Sequence, residues 1–261
     1  MTRCDAVSRP RHGCGPAKRL KYRMPNILAI ETSAELASCA LLVGDNVIAR
    51  ATPGVRSHSQ SVLPMVQELL REAGIALADC DAVAFGAGPG SFTGVRTACG
   101  VAQGLAFGAG LPVLPLVTLE AMAEACRGAT GATEVLAVLD ARMGEVYWAQ
   151  YRFDGAWHAL VAPTLSAPQD VAPLASDALQ ACGNGFLEYA DAFAAAPFAQ
   201  GALPAIVPHA RELALLARPA LAAGQGVPAA QAQPIYLRNK VAYTSAERQA
   251  INQAKAAEAK R

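Results

Sequence analysis

Asn26 to Thr52 reads NILAIETSAELASCALLVGDNVIARAT, and the fold class follows from it. Ile27 to Ile30 is a short apolar run of the kind that forms a buried strand. Leu36 to Val43 makes a second strand and Asn46 to Thr52 a third, with turn residues Gly44-Asp45-Asn46 between them. The next stretch changes period. From Ser57 to Ala73 the apolar residues Val62, Leu63, Met65, Val66, Leu69, Leu70 and Ala73 recur at steps of three and four, which predicts a helix. Its apolar arc is wider than one contact face needs, and Pro64 is expected to perturb its early turns.

Further along, Asp81 to Ala87 reads as a short strand. Gly88-Pro89-Gly90-Ser91 turns the chain, and Ser91 or Thr93 is placed to cap a helix running to about Ala109. Leu111 to Leu116 predicts another strand, with Thr118 capping a helix from Leu119 to Cys126. A second half begins like the first. Val135 to Arg142 and Glu145 to Phe153 read as a hairpin across Met143-Gly144. Leu179 to Cys182 reads as a strand ending at Gly183-Asn184-Gly185, and residues 209–223 as an Ala/Leu-rich helix. This is a mixed α/β pattern with an internal echo. The expected division is a disordered basic extension over 1–24, a first lobe over 25–116, a second lobe over 117–208, and a C-terminal segment with a polar tail over 225–261. Helix 209–224 is allowed to return to the first lobe.

Composition narrows the function classes. Hydrophobic residues are 53% of the 261 and charged residues 16%, the balance of a folded, core-rich chain. The longest apolar stretch, Val101 to Val117, is broken by Gln103, Pro112 and Pro115 and is too short for a membrane span. The basic N-terminus is not followed by an apolar segment, so it does not read as a secretory signal. Seven scattered cysteines with no C-x-x-C pair suggest free thiols in a reducing cytoplasm. Residues 1–23 hold seven basic side chains and one acidic, a charge of +6, which leaves −5 for the remainder of a chain of net +1. A body of that sign is a poor match for a phosphate backbone, so if RNA is involved it is expected to be held by another subunit.

Two glycine sets stand out. Gly86, Gly88, Gly90, Ser91 and Thr93 lie in a loop between a strand and a helix start, where backbone N–H groups can hold an anion. The loop lacks the Gly-Lys-Ser/Thr of a Walker motif and the dinucleotide fingerprint, so a structural turn and a ligand site both remain open. Gly100, Gly104 and Gly108 recur every fourth residue in the following helix. Each costs about 1 kcal/mol against Ala, which implies a close approach, either by the chain's own elements or by a partner helix. The histidines His12, His58, His158 and His209 form no helical H-x-x-x-H pair. Asp140 and Glu145 flank a hairpin turn, where acids ordinarily serve the turn.

Four stretches carry a family resemblance: Ile27-Leu28-Ala29-Ile30-Glu31-Thr32-Ser33 at the opening, then Gly86 to Arg96 (GAGPGSFTGVR), Leu139 to Tyr147 (LDARMGEVY), and Pro234 to Asn239 (PIYLRN). Together they resemble the TsaB (YeaZ) family over about Asn26 to Tyr243. The resemblance implies a two-lobed actin-like ATPase (ASKHA) fold with a degenerate nucleotide site, because Glu31-Thr32-Ser33 stands where the superfamily usually has Asp then Gly. It implies a non-catalytic cytoplasmic subunit that pairs with a TsaD-type enzyme for threonylcarbamoyl transfer to the adenosine beside the tRNA anticodon. A TsaE-type ATPase joins them, and the chain forms a homodimer when alone. It implies no firm cofactor, leaving ATP or ADP at the subunit interface open. By the family's pattern the partner face includes His58, Val62, Met65, Val66, Leu69, Val95, Arg96, Gly100, Gly104 and Phe107. The alternatives are a stand-alone ATPase or small-molecule kinase of the same superfamily, and a peptidase, for which no nucleophile–base set is legible.

Overall fold

Two sheets of one plan organise the chain in the computed structural model, which describes residues 24–53 and 58–238. The basic extension, the polar tail and Asn239 lie outside the described residues. In the first sheet β1 (Ile27–Glu31), β2 (Leu36–Val43) and β3 (Asn46–Pro53) form an antiparallel meander. Helix α1 (His58–Ala73) then leads to β4 (Ala82–Gly88), parallel to β1. Helix α2 (Phe92–Ala109) leads to β5 (Val113–Val117), parallel to β4. The order is β3-β2-β1-β4-β5. Helix α3 (Thr118–Thr130) opens the second half. There β6 (Glu134–Arg142), β7 (Glu145–Phe153) and β8 (Trp157–Ser166) repeat the meander, and β9 (Leu179–Cys182) pairs parallel with β6, giving β8-β7-β6-β9. The expected internal echo is therefore a repeat of topology.

Alternation along β1 assigns the layers. Leu28 and Ile30 point to one face, where Val62, Met65, Val66 and Leu69 of α1 and Ala98, Ala102 and Ala106 of α2 cover them together with Phe85. Ile27 and Ala29 point to the other, where α6 (Ala210–Ala222) lays Ala210, Leu213, Ala214 and Ala217 against Ala82, Ala84 and Leu114. Alanine and glycine allow these close helix–sheet contacts. The short helices α4 (Gly185–Glu188) and α5 (Ala190–Phe193) put Phe186 and Phe193 on the outer face of the second sheet. Its inner face packs against Leu119, Met122, Ala123 and Cys126 of α3. Both α2 and α3 end on a left-handed glycine, Gly110 (φ 68°) and Gly131 (φ 78°). Among the described residues no helix is long and apolar enough to cross a membrane.

Several local expectations change. Pro64 does not interrupt α1, which runs unbroken through it. Thr118 does not cap α3: its side chain is buried and its Oγ1 accepts the Gly88 N–H at 3.1 Å. The N-cap position is Val117, without a side-chain cap. His209 is the N-cap of α6, its Nδ1 accepting the Arg211 N–H at 3.1 Å. Leu213→Ala should cost about 2–5 kcal/mol of stability, since Leu213 is fully buried between α6 and the first sheet. A urea unfolding midpoint measures it.

Candidate functional site

The glycine loop is built by close backbone approach. A Cβ at Gly86 would overlap the Glu31 carboxylate, and one at Gly94 would overlap the Thr32 carbonyl oxygen. At Gly90 it would stand 2.6 Å from the Ser33 Cβ. The loop thus lies directly on Glu31-Thr32-Ser33. Ser91 N–H donates to Ser33 O at 2.7 Å, and Thr32 Oγ1 donates to Gly94 O at 2.7 Å. Ser91 Oγ caps α2 by accepting the Gly94 N–H at 3.4 Å. Gly88 (φ 110°) gives its N–H to Thr118, and a side chain there would come 2.8 Å from Ile235 O. The N–H groups of Gly88, Ser91 and Gly94 are therefore taken by the protein's own acceptors. Of the two readings of Gly86, Gly88, Gly90, Ser91 and Thr93, the geometry favours the structural turn.

Glu31 fills the place that Gly86 leaves. It is fully buried, and its Oε1 accepts the Ser33 N–H at 2.5 Å. Burial pushes its pKa up, against the pull of hydrogen bonds from Ser33 and Thr32.

Beside the loop a cavity of about 450 Å³ lies between the lobes, lined from the first by Ser33, Glu35, Ser91 and Phe92 and from the second by Asp140, Arg142, Tyr147 and Asn184. The turn joining β6 and β7 has positive φ at Arg142 (60°), Met143 (61°) and Gly144 (77°), which non-glycine residues adopt at a cost. Its neighbours hold it there. Asp140 Oδ1 accepts the Arg142 N–H at 2.7 Å and the Tyr189 hydroxyl at 2.9 Å, and Asp140 N–H donates to Asn184 Oδ1 at 2.9 Å. Arg238 donates to the carbonyls of Ala141 (2.8 Å) and Arg142 (3.2 Å) and to Glu145 (2.5 Å). Asp140 and Glu145 thus serve the turn. Among the described residues no group of three or more His, Cys, Asp or Glu side chains is arranged to hold a metal.

Residues 232–238 run along the cleft as a strap tied to both lobes. Ile235 N–H donates to Ala87 O at 2.7 Å, Gln103 Nε2 donates to Ala232 O at 2.9 Å, and Arg238 holds the β6–β7 turn. A second tie joins Arg142 to Glu35, at 2.5 Å. Sequence reasoning singled out the motif at 234–239 without seeing this role. The visible signal was an arginine and an aromatic in a segment lacking any helical or strand period.

The partner-face residues divide. Val62, Met65, Val66, Leu69 and Val95 are buried in the first lobe's core, so within this chain they are not available to a partner. A helix covering a sheet needs the same apolar arc as a docking helix. Gly100, Gly104 and Gly108 have open space where a Cβ would stand. Among the described residues, none of the chain's own elements makes the approach that their spacing implies. Phe107, on the same side of α2, is 82% exposed, and Leu63 on α1 is 45% exposed. Arg96 heads this stripe and is exposed. His58 opens α1, and its side chain lies outside the described part.

The two repeated lobes and the cleft between them define a protein of the actin-like ATPase fold. The family model for TsaD, described as tRNA N6-adenosine threonylcarbamoyltransferase, matches residues 46–257. The tRNA threonylcarbamoyladenosine biosynthesis protein TsaB of Escherichia coli K12 is 40% identical over 222 residues, covering 83% of this chain and 96% of that protein. The TsaB of Haemophilus influenzae is 37% identical over 230 residues, covering 83% and 95%. A solved structure of YeaZ from Pseudomonas aeruginosa, 42% identical, superposes with a TM-score of 0.76 over 82% of this chain and all of that one. A further structure, described as an uncharacterized protein with similarity to peptidase YEAZ from the same organism, gives 0.77 at the same identity and coverage. The chain belongs to the TsaB (YeaZ) family.

Two outcomes test this geometry. Gly94→Ala should destabilise the isolated chain by about 2 kcal/mol or more, because a backbone carbonyl must yield. Gly104→Ala should stabilise it by about 0.5–1 kcal/mol, because an open helical position gains propensity without a clash. Paired denaturant titrations report both. For Glu31 the folded chain keeps a proton that the unfolded chain loses near the ordinary carboxyl range. Its contribution to stability is thus fully present at acid pH and lost as pH rises through the raised value. The difference in stability between Glu31→Gln and the parent should therefore shift in favour of the variant as pH rises above about 4.5, read from unfolding midpoints at several pH values.

Proposed function

We propose that this chain is a partner subunit with no catalytic activity of its own. It pairs with a TsaD-type subunit for threonylcarbamoyl transfer to the adenosine beside the tRNA anticodon. The observation that carries the reading is the open side of α2, where Gly100, Gly104 and Gly108 leave room for a helix from outside the chain and Phe107 stands exposed. Small residues at four-residue spacing let two helix backbones approach closely, and an exposed aromatic beside them supplies an anchor.

The names of the relatives support the pathway, and the arrangement of the cleft supports the division of labour. Three N–H groups of the loop that would cradle phosphate, those of Gly88, Ser91 and Gly94, go to the protein's own acceptors. The negative charge of the chain beyond residue 23 supports tRNA being held by the partner rather than here. In this reading a TsaE-type ATPase joins the pair, the α2 face closes a homodimer in the partner's absence, and the assembly works in the cytoplasm.

The test is co-expression with the TsaD-type subunit of the same genome, followed by size exclusion and a tRNA modification assay. A stable pair, with modification only when both chains are present, is the expected result. Gly104→Leu should abolish co-elution while leaving the far-UV spectrum and unfolding midpoint of the isolated chain close to the parent's. Normal co-elution of that variant would remove α2 from the interface.

A further inference from the structure

Arg96 is held in a manner unlike that of the chain's other well-placed arginines. Its guanidinium carbon stands 3.6 Å from the centre of the Phe92 ring and 5.5 Å from that of Tyr236. Its Nε donates to the Tyr236 hydroxyl at 2.9 Å, and the two rings are 5.7 Å apart. Arg142, Arg152, Arg218 and Arg238 each hold a carboxylate. Arg96 does not pair with any acidic side chain among the described residues, and there its two terminal nitrogens make no hydrogen bond.

Fixing an arginine side chain costs up to about 2 kcal/mol of rotamer entropy. Here two aromatic rings and a hydroxyl fix it, yet its charge is left facing solvent. The result is a rigid planar fork at the head of the open stripe, four residues before Gly100. Such a fork matches a carboxylate through two parallel hydrogen bonds. Tyr236 reaches it from the strap, 140 residues further along the chain, so the arrangement belongs to the tertiary structure and not to α2 alone.

We propose that Arg96 is the anchor for an Asp or Glu side chain presented by the protein subunit that covers α2, with Phe92 and Tyr236 as its positioning residues. The proposal rests on reading the open side of α2 as the partner face. Charge selects a protein carboxylate over an RNA phosphate as the occupant, since residues 24–261 carry a net −5 that opposes a polyanion. Burial of the pair beneath a docked subunit raises its strength above that of an exposed ion pair.

The experiment is a calorimetric titration of the full chain with the TsaD-type subunit at low and high salt, using the parent, Arg96→Ala, Arg96→Lys and Tyr236→Phe. Arg96→Ala should weaken binding tenfold or more at low salt and by less at high salt. Arg96→Lys should recover only part of the loss, because an ammonium has no fork. Tyr236→Phe, which retains the ring and loses the hydroxyl, should fall between Arg96→Ala and the parent. Unfolding midpoints of the free variants should stay at the parent's value. An Arg96→Glu chain should regain affinity for a partner in which one interfacial carboxylate is changed to arginine. Parent-like affinity of Arg96→Ala, in a system where the parent binds and Gly104→Leu does not, overturns the anchor and leaves the partner face standing. Failure of the parent chain to bind removes the face and the anchor together. Weakened binding of a tRNA transcript by Arg96→Ala, with subunit affinity unchanged, assigns the guanidinium to phosphate and overturns the carboxylate.

Discussion

Three glycines and three residues of one strand end hold the first lobe in shape. Gly86, Gly90 and Gly94 lie so close to Glu31-Thr32-Ser33 that a single methyl group at any of them would overlap or crowd the segment opposite. This approach joins the C-terminal end of β1 to the start of α2 through Ser91 N–H to Ser33 O and Thr32 Oγ1 to Gly94 O. It sets the angle at which α2 leaves the sheet, and so which side of α2 faces solvent. It also buries the Glu31 carboxyl group, two residues before Ser33 in the cleft lining. The loop that holds α2 in place is therefore the same loop that gives the Gly88, Ser91 and Gly94 N–H groups to the protein's own acceptors.

The second lobe is attached to this platform by arginines. Arg142 reaches Glu35 across the cleft. Arg238, at the end of the strap, holds the carbonyls of a turn with three successive positive φ values. Tyr236, two residues before, stacks beside Arg96 on α2. One short extended segment thus touches the helix proposed as the partner face, the lining of the cleft, and the turn of the opposite lobe.

Much of the fold was legible in the sequence because its strands are short, apolar and bounded by turn residues. β1, β2, β6, β7 and β9 lie within a residue of their expected limits. β8 was not foreseen. It is an edge strand with Pro163 inside it and no clean alternation of burial, so neither period nor propensity marks it. The site was harder to read because sequence shows that a helix has an apolar arc or a run of glycines without showing what lies opposite. Val62, Val66 and Leu69 looked like a docking surface and lie against the sheet. The two glycine sets divide in the same way. The loop set, for which a structural turn and an anion site were both open, is where the chain approaches itself, and the helix set has no neighbour from its own chain among the described residues. Spacing alone does not say whether a glycine set meets its own chain or lies open.

The order of elements along the chain has a consequence for synthesis. The first sheet is complete once β5 has been made, but one of its faces stays uncovered until α6, about ninety residues later, supplies Leu213 and its alanine neighbours. As the chain emerges from the ribosome, Ile27, Ala29, Ala84 and Leu114 therefore wait through the translation of the entire second sheet, at a few residues per second or somewhat faster. The strap follows later still. The lobes take shape before anything ties them together, and a nascent chain stalled within the second half would present an apolar sheet face to whatever chaperone or neighbouring chain reached it first.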